Sequence, residues 1–288
     1  MTIELKQVSK SFGHTLALDD INITFEENKI YGLLGNNGAG KTTMLNLIAN
    51  RLYADSGSVA IDGEPVADND RVLGRLFMVS EKNLYPDDMR VGKALKMTAL
   101  FYPGYDYQYA LELAAKFELP LKKKITALST GYASIFKLVL ALAVNTPYLL
   151  LDEPVLGLDA QHRDMFYKLL IEKYAERPCT VIISTHLIAE AANIIEQAVI
   201  IRNGRLIKNE PVELLLHDGY CVSGPAAAVD AFCADKQLLS ANSLGGLKTV
   251  CVSGERPNGD APQGLEFTAI DLQNYFIELM NKEDAHND

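Results

Sequence analysis

Two short stretches of this 288-residue chain carry residue types that ordinary packing does not call for. The first is "GNNGAGKT", Gly35 to Thr42, which fits G-x-x-x-x-G-K-[ST] at every fixed position. The chemistry it suits is the gripping of phosphate. Gly35, Gly38 and Gly40 let the backbone turn tightly and bring its N–H groups against phosphate oxygens, where a Cβ would obstruct. Lys41 offers a point charge to β- and γ-phosphates, and Thr42 a hydroxyl to Mg²⁺. The second stretch is "LLLDEP", Leu149 to Pro154. A carboxylate leaving the end of a buried apolar strand needs a partner, because an unpaired buried charge is costly. Asp152 beside Thr42 and Mg²⁺ meets that need. Glu153, next along an extended chain and so pointing the opposite way, is placed to polarise a water for in-line attack on a γ-phosphate.

These residues work only if the elements around them present them correctly. "KIYGLLG" is a short apolar run ending on Gly35, and Met44, Leu45, Ile48 and Leu52 then recur at helical spacing. The pattern predicts strand, loop, helix, with the helix's positive N-terminal end at the phosphates. Upstream, "TIELKQVS" and "ALDDINITFEE" alternate as strands around a turn at Phe12-Gly13-His14. "GSVAIDGEPV" reads as a hairpin turning at Asp62-Gly63, followed by a strand at "RLFMVS". Helical stretches follow at about 91–102, 107–117 and 130–144, with Tyr102, Tyr105, Tyr107 and Tyr109 clustered where the first two meet. Those tyrosines either pack a small helical subdomain or form a protein-contact surface. "PYLLLDEP" and "CTVIISTH" flank the helical "AQHRDMFYKLLIEKYAE". Apolar strands alternating with helices mean a parallel sheet covered on both faces. The expected fold is therefore α/β, a mixed parallel sheet flanked by helices with an antiparallel β subdomain and a helical subdomain at about 82–145, together filling residues 1–217. Residues 218–288 read as a small α+β appendage.

Composition bounds the function. A net charge of -10 argues against a protein that grips nucleic-acid backbone. No apolar run approaches the roughly 18 to 20 residues that a membrane span needs. The start, "MTIELKQVSK", lacks a signal-peptide pattern, so a cytosolic chain is expected. The four cysteines have no zinc-site spacing and read as reduced packing residues.

Three further elements complete an order: "LSTGY" (Leu128 to Tyr132) before the Asp-Glu strand, "LGLD" (Leu156 to Asp159) after it, and "STH" (Ser184 to His186) after the next strand. Together with the glycine loop they resemble the nucleotide-binding subunit of an ATP-binding cassette (ABC) transporter over roughly residues 1 to 215. That resemblance implies a P-loop NTPase fold of the ABC type, with ATP and Mg²⁺ as cofactors. It makes Gly35 to Thr43 the Walker A loop, so Asn36, Asn37, Ala39 and Thr43 join the nucleotide contacts. It makes Asp152 the magnesium carboxylate, Glu153 the catalytic base, His186 the switch histidine on the γ-phosphate, Asp159 the D-loop residue at a dimer interface, and Phe12 the aromatic stacked on adenine. On residue type alone, a lone histidine after a strand is more often structural, and Phe12 in a turn could equally pack a core.

Two motifs depart from the family's pattern. Its signature is usually read as LSGGQ; here Ser129 and Gly131, which face the other subunit's γ-phosphate, are retained, while Thr130 and Tyr132 are substitutions. Thr130 puts a β-branched side chain where close approach is wanted, so slower dimer closure is expected. The family's glutamine after "RLFMVS" is missing, and either Glu81 or Ser80 takes its place. Glu81 is preferred, through a metal-bound water, with a raised Mg²⁺ requirement as the consequence.

By the same resemblance ATP is sandwiched between two nucleotide-binding subunits, a homodimer or a related heterodimer. A separate transmembrane permease docks on the helical block around 82–120, which places the chain in the cytoplasm on the inner face of the membrane. The appendage and "FYPGYDYQYALELAAKFELPLKKKITALSTG" look most like bacterial export-type subunits, including those of antimicrobial-peptide resistance exporters. Ribosome-associated ABC proteins carry two cassettes, and chromosome ATPases need a long heptad insertion that this chain has no room for. The remaining alternative is a nucleotide-gated regulator with little turnover.

Overall fold

A computed structural model of the chain describes residues 1–80, 82, 85–217, 219–257 and 262–285. The elements run β1 (Thr2–Phe12), β2 (Thr15–Glu26), β3 (Ile30–Leu34), α1 (Lys41–Ile48), β4 (Ser56–Ile61), β5 (Glu64–Pro65), α2 (Asp70–Leu73) and β6 (Leu76–Val79). Then come α3 (Val91–Phe101), α4 (Tyr107–Lys116), α5 (Thr130–Ala143), β7 (Tyr148–Asp152), α6 (Ala160–Glu176), β8 (Thr180–Thr185), α7 (Ile188–Ala191), β9 (Gln197–Arg202), β10 (Arg205–Pro211) and α8 (Val212–His217). The C-terminal part holds β11 (Gly219–Pro225), α9 (Ala226–Cys233), β12 (Leu238–Leu244), β13 (Leu247–Ser253), β14 (Glu266–Ala269) and α10 (Leu272–Ala285).

The chain forms two compact units, residues 1–186 with 197–209, and residues 187–196 with 210–288. In the first, six strands lie in the order β10-β9-β3-β8-β7-β6, and β9, β3, β8, β7 and β6 run parallel. β3, β7 and β8 are buried at every residue, which is why the sequence shows apolar runs there and no alternation. A second, antiparallel sheet, β2-β1-β4-β5, does alternate. Its inner face (Ile3, Leu5, Ile21, Phe25) packs with Met44, Leu45 and Ile48 of α1 and with Leu33, Leu150 and Ile182 of the large sheet in one core. The β4–β5 turn at Asp62-Gly63 and the β9–β10 turn at Asn203-Gly204 both have positive φ at both residues, the conformation for which Asx-Gly pairs are chosen. The parallel sheet, antiparallel subdomain and helical block all match the expected α/β architecture.

In the second unit the sheet order is β12-β13-β11-β14, with Val229 and Cys233 of α9 packed against Val222, Val250 and Val252. Cys221 and Cys251 face one another in the β11–β13 register and are joined by a disulfide. The expectation of four reduced cysteines is corrected here, because strand pairing brings together two residues that sequence spacing did not connect. Cys179 and Cys233 are free and buried. Among the described residues no helix is long and apolar enough to cross a membrane.

One polar joint ties the antiparallel subdomain to the large sheet. The Tyr148 hydroxyl donates to Asp62 Oδ1 at 2.6 Å, and Asp62 also accepts from the Thr2 backbone and pairs with Arg75 at 2.7 Å. Burial, reinforced by Asp62, pushes the Tyr148 phenol well above its ordinary range. Tyr148→Phe leaves the partly buried Asp62 oxygen one donor short, so a loss of about 1 kcal/mol is expected in urea unfolding. No loss would show that the joint carries no stability.

Candidate functional site

β3 delivers the glycine loop, and α1 starts at Lys41 with Gly40 as its N-cap. Gly40 is left-handed, at φ 109°, and a Cβ there would fall 2.5 Å from the Ala17 carbonyl oxygen on β2. A Cβ on Gly35 would fall 2.5 Å from the Ile201 carbonyl oxygen on β9. The expectation that all three glycines clear space for phosphate is therefore divided. Gly35 and Gly40 are demanded by neighbouring backbone, whereas Gly38 faces open space. No side chain caps α1 and no acidic residue lies in its first turn, so its leading N–H groups and positive dipole end remain suited to an anion. Asn36 and Ala39 close the loop through the Ala39 N–H to Asn36 O bond at 3.1 Å, with Asn37 exposed between them and Thr43 partly buried in the first turn.

Lys41 is buried, its ammonium donating to the Gly35 carbonyl at 2.6 Å and the Asn36 carbonyl at 3.2 Å. Burial lowers its pKa, opposed by the charges of Glu153 and Asp152. The Thr42 hydroxyl donates to Asp152 Oδ1 at 3.0 Å. Asp152 ends β7 with 5% of its surface exposed, and its pKa is raised by burial, while the Thr42 and Ser184 hydroxyls oppose the shift. Among the described residues no group of three or more His, Cys, Asp and Glu could hold a metal ion alone. One hydroxyl and one carboxylate still fit Mg²⁺, a hard cation that takes few protein ligands and keeps waters and phosphate oxygens.

Glu153 departs from the extended geometry expected of it. Its φ is 47°, so the chain turns left-handed immediately past the strand, a conformation costing on the order of 1–3 kcal/mol outside glycine. Its N–H donates to Ser184 O at 2.9 Å, and its Oε2 lies 2.8 Å from His186 Nδ1. The strained turn thus aims Glu153 at His186, which follows the neighbouring strand β8. Phe12, at the end of β1 opposite Thr15, is 49% exposed. The core-packing alternative for Phe12 falls, and one ring face carries Lys10 at 5.6 Å.

The other expected residues sit elsewhere on the unit. Ser129 caps α5, its Oγ accepting from the Tyr132 N–H at 3.4 Å, and it is exposed. A Cβ on Gly131 would fall 3.0 Å from the Gly157 carbonyl oxygen, and Ser134 Oγ donates to Leu156 O at 2.7 Å, so "LSTGY" and "LGLD" pack directly on each other. The Thr130 methyl rests against Gly157. Asp159 caps α6, accepting from the His162 backbone at 2.9 Å and lying 2.8 Å from its ring nitrogen, and these bonds hold its carboxyl below the ordinary range. Glu81 lies outside the described residues. Ser80, the alternative, directly follows β6 and accepts from the Arg51 guanidinium at 2.9 Å. Sequence reasoning missed Arg51, whose only signal was a cation just past the helix in "LIANRLY".

Residues 18–156 match the family model described as ABC transporter. The chain is 37% identical over 184 residues to the ABC transporter ATP-binding protein YtrB of Bacillus subtilis, covering 64% of this chain and 63% of that protein. It is 32% identical over 212 residues to the Nod factor export ATP-binding protein I of Burkholderia lata, covering 71% of this chain and 69% of that one. The dimeric structure of the ATP-binding cassette MJ0796, in a post-hydrolysis state bound to ADP and Pi, superposes with a TM-score of 0.65 at 26% identity, covering 73% of this chain and 98% of that one.

Because Asp152 is held above its ordinary range, its ionised form costs the ligand-free protein stability once the pH rises past about 4. Asp152→Asn is therefore expected to raise the melting temperature of ligand-free protein at neutral pH, with the gap closing as the pH falls toward that value. A lower melting temperature at neutral pH would contradict the burial account.

Proposed function

The chain belongs to the ABC transporter family, among its ATP-binding proteins, and on that premise we propose that it binds and hydrolyses ATP to drive a separate membrane subunit, as part of an exporter. The observation that carries this reading is the pairing of Glu153 with His186 beside the Thr42–Asp152 bond. The cassette proper is assigned to residues 1–217, with its helical subdomain at about 82–145, and the appendage to 218–288.

In the proposed reaction the triphosphate lies in the Gly35 to Thr43 loop. Gly38, Asn37 and the first N–H groups of α1 surround it, and Lys41 exchanges its backbone carbonyls for phosphate oxygens. Thr42 and Asp152 would hold Mg²⁺, which would supply neutralisation of phosphate charge. Glu153 accepts a proton from the attacking water, and His186 Nδ1 fixes the carboxylate while the ring's other edge is free to meet the γ-phosphate. Phe12 offers its exposed ring to adenine, a sequence-tolerant stacking contact.

Ser129 and Asp159 are exposed and Gly131 half-buried on the same unit, which supports a role toward the nucleotide of a second subunit, identical or related. A cleft of about 850 Å³ lined by Phe77, Met97, Phe101, Tyr102 and Phe136 separates the end of β6 from the helical block. Its apolar walls and the exposed Leu100 and Phe101 support this face as the seat of a transmembrane permease. Such a partner places the chain in the cytoplasm at the inner face of the membrane. Export is favoured by the Nod factor relative's name. Glu81, with Ser80 as the alternative, remains assigned to the missing glutamine's place.

Steady-state ATPase assays test the reading. Glu153→Gln is expected to lower turnover by about 100-fold or more while ATP binding persists, and equal rates for variant and wild type would remove the hydrolysis claim.

A further inference from the structure

We propose that Ser184 is a positioning residue of the magnesium site: with metal and nucleotide bound, its hydroxyl donates to the Asp152 carboxylate and holds it toward the cation. This deepens the ATPase reading above and rests on it. Ser184 lies near the end of β8, which runs between β3 and β7 in the large sheet, and it is fully buried. It stands directly opposite Asp152 in the parallel β7–β8 register.

Packing alone does not call for a hydroxyl at that place. Residues two apart on a strand share a face, and two positions earlier stand Leu150 on β7 and Ile182 on β8, both in the core with Met44 and Leu45 of α1. Alanine or valine would continue that apolar stripe with no polar atom to satisfy. Thr180, also buried on β8, donates its hydroxyl to the Glu26 carbonyl at 3.2 Å. The Ser184 Oγ, by contrast, makes no hydrogen bond of ordinary length and angle among the described residues. A buried hydroxyl in that state carries its desolvation cost uncompensated, so its partner is one that the loaded site completes.

The acceptor it faces is Asp152. The hydroxyl lies near enough to that carboxylate to hold its pKa down, while the bond itself is left open. An ionised carboxylate has room for about four hydrogen bonds, and the Thr42 hydroxyl at 3.0 Å occupies one of them. Thr42 is also assigned to the cation, so a second donor is what keeps the carboxylate aimed when that hydroxyl is shared. The backbone of Ser184 serves the neighbouring acid, its carbonyl accepting the Glu153 N–H at 2.9 Å. One residue thus meets both carboxylates through different atoms, and a change of its side chain reaches only Asp152.

Ser184 forms no bond to the metal in this proposal and acts only through Asp152. Its removal therefore weakens the part of ATP binding that depends on Mg²⁺ and spares the part carried by the glycine loop and Lys41.

The test uses the full chain in a Glu153→Gln background, where turnover is slow, and measures ATP affinity by equilibrium dialysis in saturating Mg²⁺ and again in EDTA. Ser184→Ala is expected to weaken binding in Mg²⁺ by about tenfold and to leave binding in EDTA unchanged. Ser184→Thr keeps the hydroxyl, and Ser184→Val puts a methyl of the same shape in its place, so both carry the same packing cost. The threonine variant is expected to bind ATP in Mg²⁺ about tenfold more tightly than the valine variant, and this pair decides the matter if the alanine variant folds poorly. Equal affinities within both pairs would overturn the proposal, as would equal losses with and without Mg²⁺, which mark a purely structural hydroxyl. A chain with Ser184 intact that binds ATP no more tightly in Mg²⁺ than in EDTA overturns the metal part of the ATPase reading and the proposal with it. A full Mg²⁺ gain that survives Ser184→Ala and Ser184→Val removes the role of Ser184 alone.

Discussion

Asp152 sits at the carboxyl end of a fully buried strand, where burial disfavours its ionised form and the Thr42 hydroxyl at 3.0 Å offsets only part of that cost. Lys41 is in the mirror-image position, a buried ammonium resting on two carbonyls of its own loop. Neither charge is well served by the polypeptide alone. A polyanion carrying a divalent cation would serve both, and the parallel sheet brings these two ends to one place. β3 supplies the loop and β7 the carboxylate, with β8 between them in the sheet.

The rest of the larger unit follows from holding that arrangement rigid. Gly35 lets the loop lie against β9 and Gly40 lets α1 start against β2, so both sheets clamp the cradle from opposite sides. The strain at Glu153 has its counterpart in the bond from its N–H to Ser184 and in the contact with His186. The glycine loop and the Glu153–His186 pair therefore rest on different supports. The cradle is set by backbone packing, whereas the Glu153–His186 pair is set by one unusual φ angle and is the more sensitive of the two.

Much of this was legible in the sequence because it depends on local chemistry. "GNNGAGKT" and "LLLDEP" each announce a function within a few residues, and Asp62-Gly63 and Asn203-Gly204 each dictate a turn. What was not legible depends on residues far apart in the chain. The reason for Gly35 is a carbonyl at Ile201, the partner of Arg51 is Ser80, and Cys221 meets Cys251 only through strand register. Thr130 looked intrusive beside the signature, yet its methyl has a place against Gly157, whose own φ of 78° leaves room for it. The left-handed turn at Glu153 had no sequence signal at all, since glycine, asparagine and aspartate are the residues that advertise that conformation.

The central claim is that one chain holds half of each ATP site, with Lys41 on one subunit and Gly131 on the other. Mixing two inactive variants tests it most directly: Lys41→Ala, which lacks the phosphate charge, and Gly131→Asp, which spoils the facing signature. In a mixed dimer one site regains an intact Lys41 opposite an intact Gly131. The account predicts that ATPase activity absent from either variant alone reappears on mixing, and a mixture as inactive as its components would contradict it.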